Sequence, residues 1–374
     1  MADRFIPVSE PQLDGNEKRY LAECIDTGWI SSEGPFVRRF EEAFAQSVGR
    51  AQGVAVCNGT AALDTAVQAL GLGPGDEVIL PAFTIISCAA AVLRAGAEPV
   101  LAESDPLTWN MDAACLEALV TPRTRAIMAV HTFGLPTDMD EVLRVARAHK
   151  LAVIEDAAEA HGLTCKGVPC GGFGEISCFS FYANKLLTTG EGGMVLCNDP
   201  LLAERARGLR NLFFKPQQRF VHEELGFNFR MTNLQAAVGL AQFERREEFL
   251  ARKRAVGARY QELLAGLPGV RLPQARTDAA ENAYWVFGLV LEPGHPLDAR
   301  EAMARLAELG IGSRPFFHPM HEQPVLRRMG FFDGVRLPVA EELGRRGFYI
   351  PCSVGLGEAE IERVAGACWR VLGG

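Results

Sequence analysis

The sequence predicts an α/β protein with a large domain on a mostly parallel β-sheet, followed by a smaller C-terminal α+β domain. Three observations carry this. Between residues 50 and 200, short β-branched runs alternate with segments of helical periodicity, and several runs are apolar on both faces, as strands covered on both sides of a parallel sheet are. After about residue 232 the chain turns strongly helical. From about residue 270 a strand-like run precedes two further helical patterns. At 374 residues the chain exceeds the roughly 100–200 residues of one compact domain. A division into 1–245 and 246–374 is therefore expected, marked by a helix and not by a Pro/Gly-rich linker.

The predicted strands are GVAVC (53–57), EVILP (77–81), AEPVLAE (97–103), RAIMAVH (125–131), LAVIED (151–156), ISCFSF (176–181) and GGMVLC (192–197). Between them, segments such as Thr60 to Leu70 and Asp138 to His149 place apolar residues at helical spacing. The run AAVGLAQFERREEFLARKRAVGARYQELLAGL reads as one long connecting helix. In the last hundred residues, YWVFGLVLE (284–292) reads as a strand, with helices at about 298–309 and 358–371.

Hydrophobic residues make up 48% and charged residues 22% of the chain, the balance of a folded globular protein. The net charge of −8 comes with no long run of like charge, which argues against nucleic acid or an anionic membrane as partner. The longest apolar stretches, such as that around 84–93, fall short of the roughly 18–20 residues that cross a bilayer. MADRFIPVSE lacks a charged region followed by an apolar one, so no secretory signal is expected and the cytoplasm is the expected address. Ten cysteines without a CxxC pair read as reduced, mostly buried thiols. Cys165 and Cys170 lack the second pair that a metal site needs, and His318 and His321 lack a third ligand, so no metal is expected.

Three segments carry chemistry. VAVCNGTAALDTAVQALG (54–71) runs strand, Asn58-Gly59-Thr60 turn, helix; the turn reads either as an ordinary helix cap or as an anion site on the helix N-terminus. LAVIED ends in Glu155-Asp156, where a strand-end carboxylate either caps a helix or meets a ligand at the sheet's C-terminal edge. CFSFYANKLLTTGEGGMV (178–195) places Ser180 at a strand end and Lys185 before a glycine-rich turn, where a desolvated amine becomes a nucleophile toward a carbonyl. Taken together, these are a phosphate cup, a pyridine-nitrogen partner and a Schiff-base lysine. They are the parts that hold pyridoxal phosphate.

With these residues in place, the chain resembles the DegT/DnrJ/EryC1/StrS family of pyridoxal-phosphate-dependent sugar aminotransferases, a branch of the aspartate aminotransferase fold (fold type I). The resemblance rests on DGNE (14–17), GWISSEGPFVRRFEEAFA (28–45), NGTAAL (58–63), LGPGDEVILPAFT (72–84), VHTFG (130–134), VIEDAAEAHG (153–162), FSFYANKLLTTGEGG (179–193) and GFNFRMTNLQAAVGLAQFER (226–245). It implies that Lys185 carries the cofactor and shuttles protons, that Asp156 pairs with the pyridine nitrogen, and that Glu159 sits near the phenolic oxygen. It implies that Gly59, Thr60 and Ser180 bind the phosphate. By the same resemblance Asn228 reaches the phosphate from the neighbouring subunit and Arg230 lies near the shared site, which makes a homodimer the smallest competent unit and leaves higher assembly open. Trp29, Ser31 and Ser32 match nucleotide-sugar contacts, with packing an alternative for Trp29. Arg314 faces the pyrophosphate, since a guanidinium suits phosphate oxygens. His318 is a substrate contact or structural; His161 and His149 are structural.

Two positions depart from the family pattern. Ile85 stands where relatives usually stack an aromatic residue on the pyridine ring, a loss of about 0.5–1.5 kcal/mol that predicts weaker cofactor retention or compensation by Phe83. Glu175, in GGFGEIS, stands where relatives usually carry Asp and is expected to affect loop structure. Lys185 argues against the family's dehydratases, which carry His there.

The implied activity is ping-pong transfer of an amino group from glutamate, through pyridoxamine phosphate, to a nucleotide-linked 4-keto-6-deoxy sugar. TGWISSEG (27–34) and SRPFFHPMH (313–321), outside the cofactor motifs, resemble the branch that aminates GDP-4-keto-6-deoxymannose at C4 for lipopolysaccharide O-antigen biosynthesis. A dTDP- or UDP-linked ketosugar, and a cofactor-binding regulatory protein without turnover, remain alternatives.

Overall fold

All seven predicted strands of the first domain form in a computed structural model of the chain, which describes residues 5–215 and 217–374. Residues 1–4, on which part of the signal-peptide expectation rests, lie outside the described residues. The strands are β1 (Gln52–Val56), β2 (Glu77–Pro81), β3 (Glu98–Ala102), β4 (Thr124–Val130) and β5 (Ala152–Asp156), then the short separate pair β6 (Thr164–Cys165) and β7 (Val168–Pro169), then β8 (Ile176–Ser180) and β9 (Gly193–Cys197). The large sheet has the order β1-β9-β8-β5-β4-β2-β3. Its strands run parallel except β9, which is antiparallel to both β8 and β1.

Helices cover both faces: α1 (Glu17–Thr27), α2 (Pro35–Ser47), α3 (Gly59–Ala69), α4 (Ser87–Arg94), α5 (Leu116–Leu119), α6 (Met139–His149), α7 (Pro200–Arg210) and α8 (Asn233–Glu244). Alternation along the strands assigns the faces. Val54 and Val56 enter a core with α3, α4 and α7, while Ala55 between them enters a core with α1, α2 and α8. This double burial is why the strand sequences read as continuous apolar runs.

The last hundred residues form a second sheet. Its strands β10 (Val270–Arg271), β11 (Phe287–Leu291), β12 (Arg314–Pro315) and β13 (Gly347–Ile350) lie in the order β10-β11-β13-β12, all antiparallel. It is packed by α9 (Arg246–Leu263), α10 (Ala299–Glu308) and α13 (Glu358–Leu372), with α11 (Pro324–Arg328) and α12 (Pro338–Arg346) between β12 and β13. Val256, Tyr260, Leu289, Leu306, Phe348 and Val364 share its core, and so does Ile6 from the N-terminal stretch.

Two predicted elements differ. The single long helix is two, α8 and α9, broken at Arg245, where φ −109° and ψ 12° leave the helical region. The break has a packing cause: α8 is buried with α1 and α2 against the large sheet, whereas Phe249 of α9 still touches that core and Val256 and Tyr260 turn to the small one. The expected strand at 284–292 begins only at Phe287, because Tyr284 has a left-handed φ of 53° that an extended strand does not allow. All ten cysteines are free thiols, eight buried and two half-buried.

Candidate active site

The C-terminal edge of the large sheet gathers three strand ends. Asp156 closes β5, Ser180 closes β8, and β1 hands over through Asn58 to α3. Asn58 caps α3, its side-chain oxygen accepting the Ala61 N–H at 2.8 Å, and the Gly59 and Thr60 backbone lies open beside it. The cap and the anion-site readings of this turn are therefore compatible: the cap uses one amide and leaves others. Gly59 is required by a close approach, since a Cβ there would sit 2.7 Å from Ser180 Cβ.

Below this edge lies a cavity of about 500 Å³. Gly59, Thr60, Ile85, Asp156, Glu159, Ser180 and Lys185 all line it, opposite a wall of Trp285, Phe317 and Tyr349 from around the small sheet. Asp156 is buried. One of its oxygens accepts the Ala158 N–H at 3.1 Å and the other lies 3.3 Å from the Cys88 thiol. Among the described residues no ion pair reaches it, and burial holds its proton affinity above the ordinary carboxylate value, with the Lys185 charge opposing. Glu159 is also raised by burial, with Lys185 opposing. Its Oε2 accepts the Phe133 N–H at 2.8 Å, and its Oε1 meets Lys185 Nζ at 3.2 Å. The Lys185 ammonium also lies over the Trp285 ring, 3.7 Å from its centroid, a contact worth about 2 kcal/mol when desolvated. Ser180 Oγ accepts the Tyr182 N–H at 3.3 Å, and the Thr60 and Ser87 hydroxyls pair at 2.8 Å.

These residues fit pyridoxal phosphate on observations of the chain itself. The glycine cradle, two hydroxyls and a helix N-terminus suit a phosphate. A buried carboxylate short of donors suits a pyridine N–H, and an amine stands in the same cavity. Ile85 lines it, with 44% of its surface exposed, so the aliphatic face is available to the ring. The expected compensation by Phe83 is not found. Phe83 is fully buried in contact with Phe133, Phe316 and Phe317 and does not line the cavity, because it lies past the end of β2 in the bend at 82–84, which turns its side chain into the interior. Glu175 acts on loop structure: its carboxylate accepts the Val153 N–H at 2.6 Å.

The remaining expected residues lie elsewhere in the chain. Ser31, Ser32 and Arg230 line a separate hollow of about 370 Å³ with Arg210 and Arg219. Arg230 also bonds Asn211 at 2.6 Å, and Asn228 bridges the same Asn211 through its backbone, beside the β1 edge. Trp29 is half exposed, and its carbonyl accepts from Asn233 Nδ2 at 2.6 Å. Arg314 pairs across the small sheet with the cavity residue Tyr349, while exposed His318 bonds the Glu322 carbonyl at 3.1 Å. His321 turns to buried Glu341 instead, at 3.2 Å. His161 is caged by Phe44, Phe179 and Phe181, and burial with Lys185 nearby pushes it down to about 3. His149 pairs with Glu117 at the surface.

Sequence reasoning missed Cys88, Ser87, Trp285, Phe317 and Tyr349. Ser87 follows the PAFT segment and had a polar signal. Trp285 lies in a run that reads as strand, Phe317 in SRPFFHPMH, of which only Arg314 and His318 are assigned to the substrate, and Tyr349 in a stretch with no element assigned; nothing local shows which side chain faces a distant sheet edge. Tyr349 is held up to about 12 by burial.

Residues 11–368 match the model of the DegT/DnrJ/EryC1/StrS aminotransferase family. The chain is 47% identical to "GDP-perosamine synthase" of Caulobacter vibrioides over 368 residues, covering 98% of each protein. It is 38% identical to the protein of that name in Escherichia coli O157:H7, covering 96% of each. Among solved structures, the aminotransferase TlmJ of Streptoalloteichus hindustanus superposes with a TM-score of 0.91 at 30% identity over 98% of both chains.

Proposed function

The chain belongs to the DegT/DnrJ/EryC1/StrS aminotransferase family and is a pyridoxal-phosphate-dependent sugar aminotransferase; from that premise we propose that it moves an amino group from glutamate to C4 of GDP-4-keto-6-deoxymannose, giving GDP-perosamine. The observation that carries the chemistry is the Lys185 amine, held 3.2 Å from Glu159 in the cavity that Asp156 closes. The sugar is supported by three relatives named GDP-perosamine synthase, which match along nearly the whole chain.

When bound, the cofactor supplies a protonated pyridine ring that withdraws the electron pair released as a proton leaves the donor's Cα. The protein's own groups do the rest. Gly59, Thr60 and Ser180, with the α3 amides, hold the phosphate. Asp156 takes the pyridine N–H and keeps it protonated, and Ile85 packs on the ring. Lys185 Nζ carries protons between carbons, oriented by Glu159. Trp285, Phe317 and Tyr349 wall the cavity on the small-sheet side.

In this reading Asn228 and Arg230 serve the neighbouring subunit of a homodimer, with Trp29, Ser31, Ser32, Arg314 and His318 toward the nucleotide sugar. Residues 1–245 form the cofactor domain and 246–374 the small one, with the stretch around Ile6 crossing over. The same reading assigns the reaction to the cytoplasm and to lipopolysaccharide O-antigen biosynthesis. Among the described residues no helix is long and apolar enough to cross a membrane.

Purified protein with glutamate and the GDP-, dTDP- or UDP-linked ketosugar, products read by mass, tests the substrate. The GDP sugar is expected to give the highest specificity constant, and a higher one for dTDP or UDP would overturn the GDP assignment. Borohydride reduction and peptide mapping should place the cofactor on Lys185. Mixing inactive Lys185→Ala and Arg230→Ala proteins should restore one working site per mixed dimer, and no recovery after verified exchange would refute sharing.

A further inference from the structure

We propose that Trp285 is a positioning residue for Lys185, its indole face and its N–H together holding the amine in place whenever Lys185 is not bonded to the cofactor. The inference rests on the reading of Lys185 as the catalytic amine.

Two contacts converge on one short stretch of chain. The Lys185 ammonium sits 3.7 Å from the Trp285 ring centroid. On its other side, Trp285 Nε1–H donates at 2.9 Å to the carbonyl of Asn184, the residue before the lysine. One side chain thus fixes both the backbone that launches the lysine and the ammonium at its end. With the N–H engaged and only 8% of Trp285 exposed, the ring plane cannot turn away.

The turn that delivers Trp285 also delivers the other partner of the amine. Phe133, in a left-handed conformation at φ 57°, gives its N–H to Glu159 Oε2. Next to it, Gly134 O accepts the Ala283 N–H at 2.8 Å, and a Cβ on Gly134 would fall 2.5 Å from Trp285 N. Tyr284, between Ala283 and Trp285, is itself left-handed at φ 53°, and such a conformation in a bulky residue persists only where its surroundings hold it. Glu159 and Trp285 are thereby aimed at the same nitrogen from one junction of the two sheets.

The chemistry of the pair differs in a useful way. A lone carboxylate restrains a four-carbon stem in one direction and competes for its proton. A π face attracts the ammonium and has no basic atom to take its proton, so it narrows the positions of Nζ without adding a second base. An amine that must move a proton between two carbons gains from restraint that does not neutralise it.

The test uses holoenzyme of wild type, Trp285→Leu and Trp285→Phe, followed through single turnovers by the return of the cofactor's lysine-bound absorbance, alongside steady-state constants, cofactor content and melting temperature. Trp285→Leu is expected to slow that return and to lower kcat about tenfold, with KM for glutamate and cofactor content near wild type; Trp285→Phe, keeping a weaker π face and losing the N–H, should fall between. A wild-type rate per bound cofactor in the Leu variant overturns the proposal, as does a loss fully accounted for by lost cofactor or a lowered melting point. If the Leu variant does not fold, the Phe variant decides: a return about threefold slower supports the proposal, and an unchanged one overturns it. Absence of transfer to the GDP sugar by wild type would refute the substrate reading alone, since the glutamate half-reaction run in reverse, with 2-oxoglutarate as the amine acceptor, still restores the lysine-bound absorbance and reports on Trp285.

Discussion

Glu155 and Asp156 are neighbours on β5, both out of solvent, on opposite faces of the same sheet. On the closed face Glu155 is saturated. Its Oε1 takes the Gly171 N–H at 2.5 Å and pairs with His131 Nε2 at 2.8 Å, and its Oε2 takes the Phe173 N–H at 2.9 Å. His131 Nδ1 accepts the Thr137 N–H at 3.1 Å, which assigns the ring proton to Nε2. On the cavity face Asp156 has one amide and one thiol, and the rest of its capacity faces open space. The two carboxylates teach how to separate a structural acid from a functional one. Burial is common to both, and what differs is whether the fold has already supplied every donor.

The contrast breaks most sharply on the cavity side. Asp156→Asn should fold and keep much of its cofactor yet lose about 10³-fold in kcat, because the pyridine nitrogen loses the anion that keeps it protonated. Near-normal turnover in steady-state assays would give that carboxylate another task. On the closed side the order reverses. Glu155→Gln places an amide N–H₂ against donors that already point inward, and should cost about 3 kcal/mol in urea unfolding, with kcat per folded molecule within about twofold of wild type.

A pH experiment sharpens the same comparison. Burial raises the Asp156 pKa above its unfolded value, so at a pH between the two the folded state holds a proton that the unfolded chain has lost. The destabilising cost is complete above the folded pKa, shrinks as pH falls, and vanishes below about 3.8, where both states are protonated. Cofactor-free Asp156→Asn should therefore melt about 2 °C higher than wild type at pH 7, and lose the advantage toward pH 4. A destabilised variant at neutral pH would show that Asp156 is satisfied like its neighbour. The smallest effect concerns the thiol. Cys88→Ala deletes one donor to Asp156 and should lower kcat about two- to fivefold, with Cys88→Ser closer to wild type; equal rates in all three would remove the thiol from the site.

Much of this was legible before any fold was known. The alternation of doubly apolar strands with helical segments was enough for the large sheet, and the combination of a phosphate-type turn, strand-end Asp156 and Ser180, and Lys185 before a glycine-rich turn singled out the site where no one of them did alone. The signals that failed were those whose cause is remote. The break at Arg245 follows from α8 and α9 packing on different cores, which a continuous helical pattern conceals. Phe83 looked able to reach the cofactor because it lies two residues before Ile85, but the chain bends past the end of β2, burying Phe83 among Phe133, Phe316 and Phe317 while Ile85 faces the cavity.

By itself the sequence determined which residues carry reactive groups and which strand ends present them, because a strand's period and a turn's glycine are local constraints. Tertiary structure alone decided which acid is left short of donors, and that Trp285, a hundred residues after Lys185, lies against its amine. Those outcomes depend on how two sheets meet. A left-handed Tyr284 and a tight Gly134 turn set that junction, and the conformation of a tyrosine at positive φ is held by distant packing, for which no pattern in the neighbouring residues exists.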